Sequence, residues 1–216
     1  MYKFYLNLDR SPERRKKFDE TWTRFPAVDG ATFNDDEPIL ERMVSFWNIS
    51  PKEHRAKCGC YQSHYNLLSH IRNNKLNHVI VAEDDAIQMD SLQDIMSCKN
   101  FTYLGGYFSH LKMTEGCLKD IDDFPISAQG VNPLDRTTHR ILMTLSYYIP
   151  NWRVARDILD FLDSQVRVRA IDVMLHKINT LSFDYMYPAK FIEEPIASTI
   201  HTTSRQKHPT IHYQLL

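Results

Sequence analysis

Phe4, Leu6 and Leu8 alternate with Lys3, Tyr5 and Asn7, a period of two that predicts a strand over residues 2–9. Ser11 then offers an N-cap and Pro12 a first helical position, and a helix is expected from Glu13 to about Trp22. A brief strand over 24–27 leads into a turn at Val28-Asp29-Gly30-Ala31. Residues 35–38 open a helix that runs through Leu40, Met43 and Val44 towards Trp47, and residues 48–51 break it. From Cys58 the helical period sharpens, with Tyr61, Tyr65, Leu68 and Ile71 on one face. Val79-Ile80-Val81 has the profile of a buried strand. A short helix over 90–98 and a strand over 101–104 follow, then a turn at Gly105-Gly106 where the backbone can approach a ligand closely. Residues 107–140 show no clean period and read as a functional loop. Beyond them come a strand over 141–149 and a helix opened by Pro150, with Trp152, Ala155, Leu159 and Leu162 as its apolar stripe. A helix over 171–178, a strand over 183–187 and a polar tail over 191–216 complete the chain.

Strands and helices in this order predict an α/β domain with a mostly parallel central sheet flanked by helices, a Rossmann-like layout. In such sheets ligands gather at the carboxyl ends of the strands. A chain of 216 residues suits one domain with a full core. Lys and Arg number 26 against 27 Asp and Glu, which leaves no field to favour nucleic acid or an anionic membrane, so neither is an expected partner. No apolar run reaches the roughly 18 residues of a spanning helix, and Met1-Tyr2-Lys3-Phe4 does not begin a signal peptide. Cys58, Cys60, Cys98 and Cys117 read as reduced intracellular thiols. The expected location is therefore the cytoplasm. The Gln214-Leu215-Leu216 ending would suit a domain cut from something longer.

The chemistry concentrates where Val79-Ile80-Val81-Ala82 breaks off into Glu83-Asp84-Asp85. Three adjacent carboxylates repel one another, so a cation is expected among them. Alternation along an extended backbone sends Glu83 and Asp85 to one side and Asp84 to the other. Two hard oxygen ligands two residues apart suit Mg²⁺ or Mn²⁺ and, through the ion, a diphosphate. Arg10, at the tip of the first strand, is a candidate phosphate contact. The basic run Arg14-Arg15-Lys16-Lys17 reads as a solvated helix face. Asp172 lies in the first turn of its helix, where the dipole favours an acid whatever its role. Cys58, Cys60 and His64 make a nominal zinc triad without a fourth ligand or a second Cys-x-x-Cys. In the tail, a histidine among His201, His208 and His212 could complete a metal shell, and His208 is the candidate. Neither a Gly-x-Gly-x-x-Gly nor a Gly-Lys-Ser/Thr loop is present, and there is no Gly-x-Ser-x-Gly elbow.

Several segments resemble glycosyltransferase family 25, the lipooligosaccharide galactosyltransferase type. Leu6-Asn7-Leu8-Asp9-Arg10-Ser11-Pro12-Glu13-Arg14-Arg15 is similar to its opening, and Phe25-Pro26-Ala27-Val28-Asp29-Gly30 to its Val-Asp-Gly turn. Cys58-Gly59-Cys60-Tyr61-Gln62-Ser63-His64 resembles its Gly-Cys-x-x-Ser-His segment, with a leading Gly absent. Val81-Ala82-Glu83-Asp84-Asp85-Ala86 resembles its Glu-Asp-Asp metal motif. Tyr147-Tyr148-Ile149, Ile171-Asp172-Val173-Met174-Leu175, Tyr187-Pro188 and Ser198-Thr199-Ile200 resemble its closing elements. Large DNA viruses carry compact relatives of this type, which would place such a chain in the host cytoplasm.

The resemblance implies a single GT-A-type domain, with a nucleotide- and metal-binding half over 1–100 and an acceptor-binding half over 101–216. It implies a nucleotide-sugar donor, UDP-linked by family weight, Mn²⁺ or Mg²⁺, a glycan or glycoprotein acceptor, and inversion at the anomeric carbon. Asp85 would ligate the metal, with Glu83 or Asp84 reaching the ribose or a bound water. Leu6, Asn7, Leu8, Asp9 and Arg10 would line the nucleotide pocket, and Ser63 and His64 would lie near the donor sugar or diphosphate. Asp172 would be the base that takes the acceptor's proton. A metal-dependent phosphohydrolase and a non-catalytic nucleotide-sugar-binding module are the alternatives.

Overall fold

The structure is a computed structural model that describes residues 1–44, 49–114, 117–121, 129–135 and 139–194. In chain order it contains β1 (Tyr2–Asn7), β2 (Thr23–Pro26), α1 (Pro38–Arg42), α2 (Pro51–Asn73), β3 (Val79–Glu83) and β4 (Ala86–Gln88). Next come β5 (Phe101–Thr114), β6 (Cys117–Ile121), β7 (Gly130–Pro133) and β8 (His139–Ile149). It closes with α3 (Trp152–Ser164), α4 (Ile171–Lys177), β9 (Phe183–Tyr187) and β10 (Phe191–Glu193).

The main sheet runs β2-β1-β3-β8-β5-β9-β7, with β6 paired to β5. Along that path β2, β1, β3, β5 and β9 point one way, whereas β8 and β7 run against them. The expected α/β architecture with a mostly parallel, helix-flanked sheet is thus observed. A separate ribbon pairs β4 with β10.

Period-two alternation divides the core between the two faces of the sheet. Phe4, Leu6, Val79, Val81, Tyr147 and Ile149 pack beneath the helices, against Leu67, Leu68, Ile158, Leu159 and Met174. Tyr5, Ile80, Ala82 and Tyr148 face the other way, under Trp22, Ile95 and Phe191. Of the predicted α3 stripe, Ala155, Leu159 and Leu162 are buried and Ile158 joins them, whereas Trp152 is only partly buried and carries Arg153 and Arg156 over its ring.

Several local expectations change. The helix expected over 13–22 is a single 3-10 stretch, Pro12–Lys17, and Ser11 caps nothing with its side chain. α1 covers only Pro38–Arg42, and Trp47 lies outside the described residues. α2 starts at Pro51, earlier than its apolar period shows, because the Ser50 hydroxyl accepts from the Glu53 N–H and caps it. The helix over 90–98 contracts to a 3-10 turn, Asp94–Ser97. Gly105-Gly106 is no turn but the interior of β5, which slips register against β8 at both glycines. The space expected there for a ligand is taken instead by Phe191, whose carbonyl stands where a Gly105 Cβ would be. Much of 107–140 is strand, in β5, β6, β7 and β8. Ladders form through backbone groups and do not require side-chain alternation, which explains why the pattern hid them.

One glycine contact docks α2 against the turn after β2. A Cβ on Gly59 would lie 2.6 Å from the Gly30 nitrogen and 2.7 Å from the Val28 carbonyl, both backbone atoms that cannot rotate aside. Ala normally stabilises a helix interior by about 1 kcal/mol over Gly. Here overpacking reverses the sign, and Gly59→Ala should lower stability by about 1–3 kcal/mol. A fall in the urea midpoint checks this; an unchanged or raised midpoint contradicts it.

Candidate active site at the carboxyl edge of the sheet

β1, β2 and β3 end side by side, and a cleft of about 690 Å³ opens past their carboxyl ends. Leu6, Leu8 and Arg10 form one wall, the 27–31 turn and the first turns of α2 another, and Cys60, Ser63, His64, Glu83 and Asp84 the floor. Leu6, Leu8, Arg10, Ser63, His64, Glu83 and Asp84, all singled out from sequence, therefore converge there. Arg10 is half exposed, with Nε 2.9 Å from the Asp29 carboxylate. Ser63 spends its hydroxyl on shape: it donates to the Gly59 carbonyl and accepts from the Val28 N–H, at 2.7 and 2.8 Å. Asp9 does not line the cleft; its side chain is 85% exposed and pairs with Arg24 and Arg15.

Asn7, fully buried, is knotted to the partly buried Asp84 of the floor. The Asn7 amide donates to the Asp84 carboxylate at 2.7 Å and to the Ser11 carbonyl at 2.9 Å. Its oxygen accepts from Arg15 and Arg24. Arg14 is only 11% exposed and contacts Asp84 at 2.7 Å, while Lys17 reaches the Asp84 carbonyl and pairs with Glu194. The solvated-face reading thus fails for Arg14, which the tight 3-10 turn points inward to compensate Asp84, whereas Lys16 stays exposed. β3 ends at Glu83, and Asp84 and Asp85 form a turn, so strict alternation stops before them.

Glu83 faces α2. His64 Nε2 lies 3.2 Å from Glu83 Oε1, and its Nδ1 lies 2.9 Å from the Tyr147 hydroxyl, itself 1% exposed. Burial pushes the Glu83 carboxyl well above its usual range, and Asp85, Asp172, Asp84 and Glu193 add repulsion. Asp85 is likewise raised, first by burial and then by Asp84 and Glu193, with Arg14 opposing. Asp85 Oδ1 is buried and has no hydrogen-bond partner among the described residues. Asp172, at the start of α4, is close enough to repel Glu83. Burial lifts its carboxyl to about 6 despite hydrogen bonds from its own backbone and from Thr144 on β8. His208 and the rest of the tail histidines lie outside the described residues.

Burial holds His64 neutral by lowering its pKa to about 4. Its folded value lies below the unfolded 6.5, so its contribution to stability is complete above 6.5 and is lost as pH falls towards 4. The expected loss is about 3 kcal/mol. In chelator, the stability difference between wild type and His64→Gln should shrink by that order between those pH values. Parallel curves from denaturant melts would contradict it.

Arg14, Arg15, Lys17 and Tyr147 are site residues that the linear pattern missed. The basic run was visible, but its direction was not. No helix among the described residues is long and apolar enough to cross a membrane.

Residues 1–175 match the family model described as glycosyltransferase family 25 (LPS biosynthesis protein). A "Glycosyltransferase 25 family member" of Drosophila melanogaster is 40% identical over 95 residues, which cover 38% of this chain and 15% of the relative. One of Drosophila pseudoobscura pseudoobscura is 35% identical over 95 residues, with the same coverage. The aligned segment thus spans a small part of those relatives. The family match takes in all three strand ends, the acidic cluster and the start of α4. This chain belongs to glycosyltransferase family 25.

Proposed function

We propose that the cleft binds a nucleotide-sugar, a UDP-sugar by preference, and transfers the sugar with inversion to a hydroxyl of a glycan or glycoprotein in the cytoplasm. The observation that carries this reading is Asp85 Oδ1, buried without a hydrogen-bond partner beside the raised Glu83 carboxyl. A lone buried carboxylate oxygen is costly, and a hard divalent cation is the ligand its chemistry fits. Mn²⁺ or Mg²⁺ would be held by Asp85 and Glu83. When bound, it supplies positive charge to a leaving diphosphate.

The protein's own groups divide the remaining work. Arg10 and the Leu6–Leu8 wall receive the nucleotide, with Asn7 and Asp84 holding that wall in place from below. Asp172 takes the proton from the acceptor hydroxyl as it attacks the anomeric carbon on the face opposite the nucleotide. A carboxylate raised to about 6 is a stronger base than an ordinary one, yet stays ionised at neutral pH.

UDP release from a panel of UDP- and GDP-sugars, with and without acceptor, tests the reading. Release that rises with acceptor and needs Mn²⁺ is expected. Release indifferent to acceptor would make the protein a phosphohydrolase, and binding without release a non-catalytic module.

A further inference from the structure

Cys60 and His64 are four residues apart on α2, so both side chains leave the same face of the helix. That face meets the end of β3, and ligand atoms of Cys60, His64 and Glu83 all lie within 4.8 Å of one another. We infer that these three side chains form a site for a transition-metal ion of the Zn²⁺ or Co²⁺ class. It differs in donor chemistry from the oxygen-only pair assigned to Mn²⁺. One sulfur, one imidazole nitrogen and one carboxylate match an open zinc site, with three protein ligands and a fourth position for water or substrate.

The geometry supports it twice. Tetrahedral ligands with metal–nitrogen and metal–oxygen bonds of about 2.0 Å stand about 3.3 Å apart, and His64 Nε2 is 3.2 Å from Glu83 Oε1. With His64 as the Nδ1–H tautomer, the Tyr147 hydroxyl oxygen, 2.9 Å away, accepts the hydrogen bond from Nδ1–H. That leaves the Nε2 lone pair aimed at Glu83, the outer-shell arrangement that orients metal-binding histidines. Burial first, and then the charges of Glu83, Asp172 and Asp85, hold the Cys60 thiol protonated, so a metal bound there must displace that proton, while the same three acids favour a cation. All three ligands line the cleft, so the fourth position is reachable from it. Cys58, the sulfur that sequence spacing offered as a partner, is not available, because its Sγ turns to the Ile39 carbonyl at 3.8 Å. Glu83 is common to both metal sets, so an ion held here would inhibit Mn²⁺-dependent transfer. That consequence rests on the proposed function; the binding does not.

Co²⁺ titrated into the reduced full chain should produce a thiolate-to-Co²⁺ charge-transfer band and intense tetrahedral visible bands, bleached by Zn²⁺. Cys60→Ser should lose the charge-transfer band. Tyr147→Phe should keep it while weakening Co²⁺ affinity by about 10–100-fold. On the unmutated chain, Zn²⁺ should slow alkylation of Cys60 by iodoacetamide, mapped by mass spectrometry, so the test does not depend on a variant folding. A wild-type chain without the charge-transfer band, or a band that persists in a folded Cys60→Ser, overturns the site. Either result leaves UDP-sugar binding to be judged separately, so the two readings fail independently.

Discussion

Asp172→Asn should lower kcat at neutral pH by about 10²–10⁴-fold, the usual contribution of a positioned general base. Donor KM and Mn²⁺ affinity should change little, because Asp172 is not among the proposed metal ligands. The wild-type rate should fall as pH drops through about 6, where burial places the Asp172 carboxyl, and the variant should lose that limb. Stability should move the other way. The folded pKa lies above the ordinary value of 3.8, so ionising Asp172 costs the folded state progressively from 3.8 to about 6, and the full cost remains above that. A neutral Asn removes the cost, and the variant should be more stable at neutral pH by about 1–3 kcal/mol. Lost turnover with gained stability is the signature of a strained functional group. Normal turnover by Asp172→Asn would place the base elsewhere.

Asp85→Ala should abolish Mn²⁺-dependent nucleotide binding and reduce turnover by about 10²–10³-fold, the range seen when one preorganised electrostatic contact is removed. Calorimetric titration of UDP with and without Mn²⁺ reads the effect directly. Mn²⁺ at about 100 times its Kd should stabilise wild type by about 2.7 kcal/mol and the variant by almost nothing. The metal-free variant should be no less stable than metal-free wild type, because it loses an unpartnered buried oxygen and one source of repulsion on Glu83. Metal-dependent transfer that survives unchanged in Asp85→Ala would remove the acidic strand end from the site. Both experiments are informative only against a folded protein, and the stability measurements supply that control.

The two predictions draw on different levels of structure. The proposal for Asp85 starts from eight consecutive residues, because a buried β-branched run ending in three acids is locally unfavourable without a cation. Asp172 was a helix-start acid whose position had a bland explanation. What separates it from other such acids is its burial beside β8 and its closeness to Glu83, neither of which leaves a local mark.

The same division runs through the rest of the site. Ser63 and His64 were legible as a motif, yet their work differs. Ser63 ties α2 to the Val28 turn, and His64 spans from Tyr147 to Glu83. In the linear chain Arg14 is one of four consecutive cations; in the fold it alone lies against the Asp84 carboxylate, 70 residues away in sequence.

The α/β class, the strand that leads into the acids, most of the α3 stripe and the family were legible in the linear chain. These depend on side-chain period and short motifs, which are properties of neighbouring residues. Which acids are compensated and which are not, which way Arg14 faces, and where β5 slips past β8 emerge only in the folded chain. Those depend on burial and on charges brought together from distant parts of the chain, and desolvation is set by everything that surrounds a group rather than by the residues next to it.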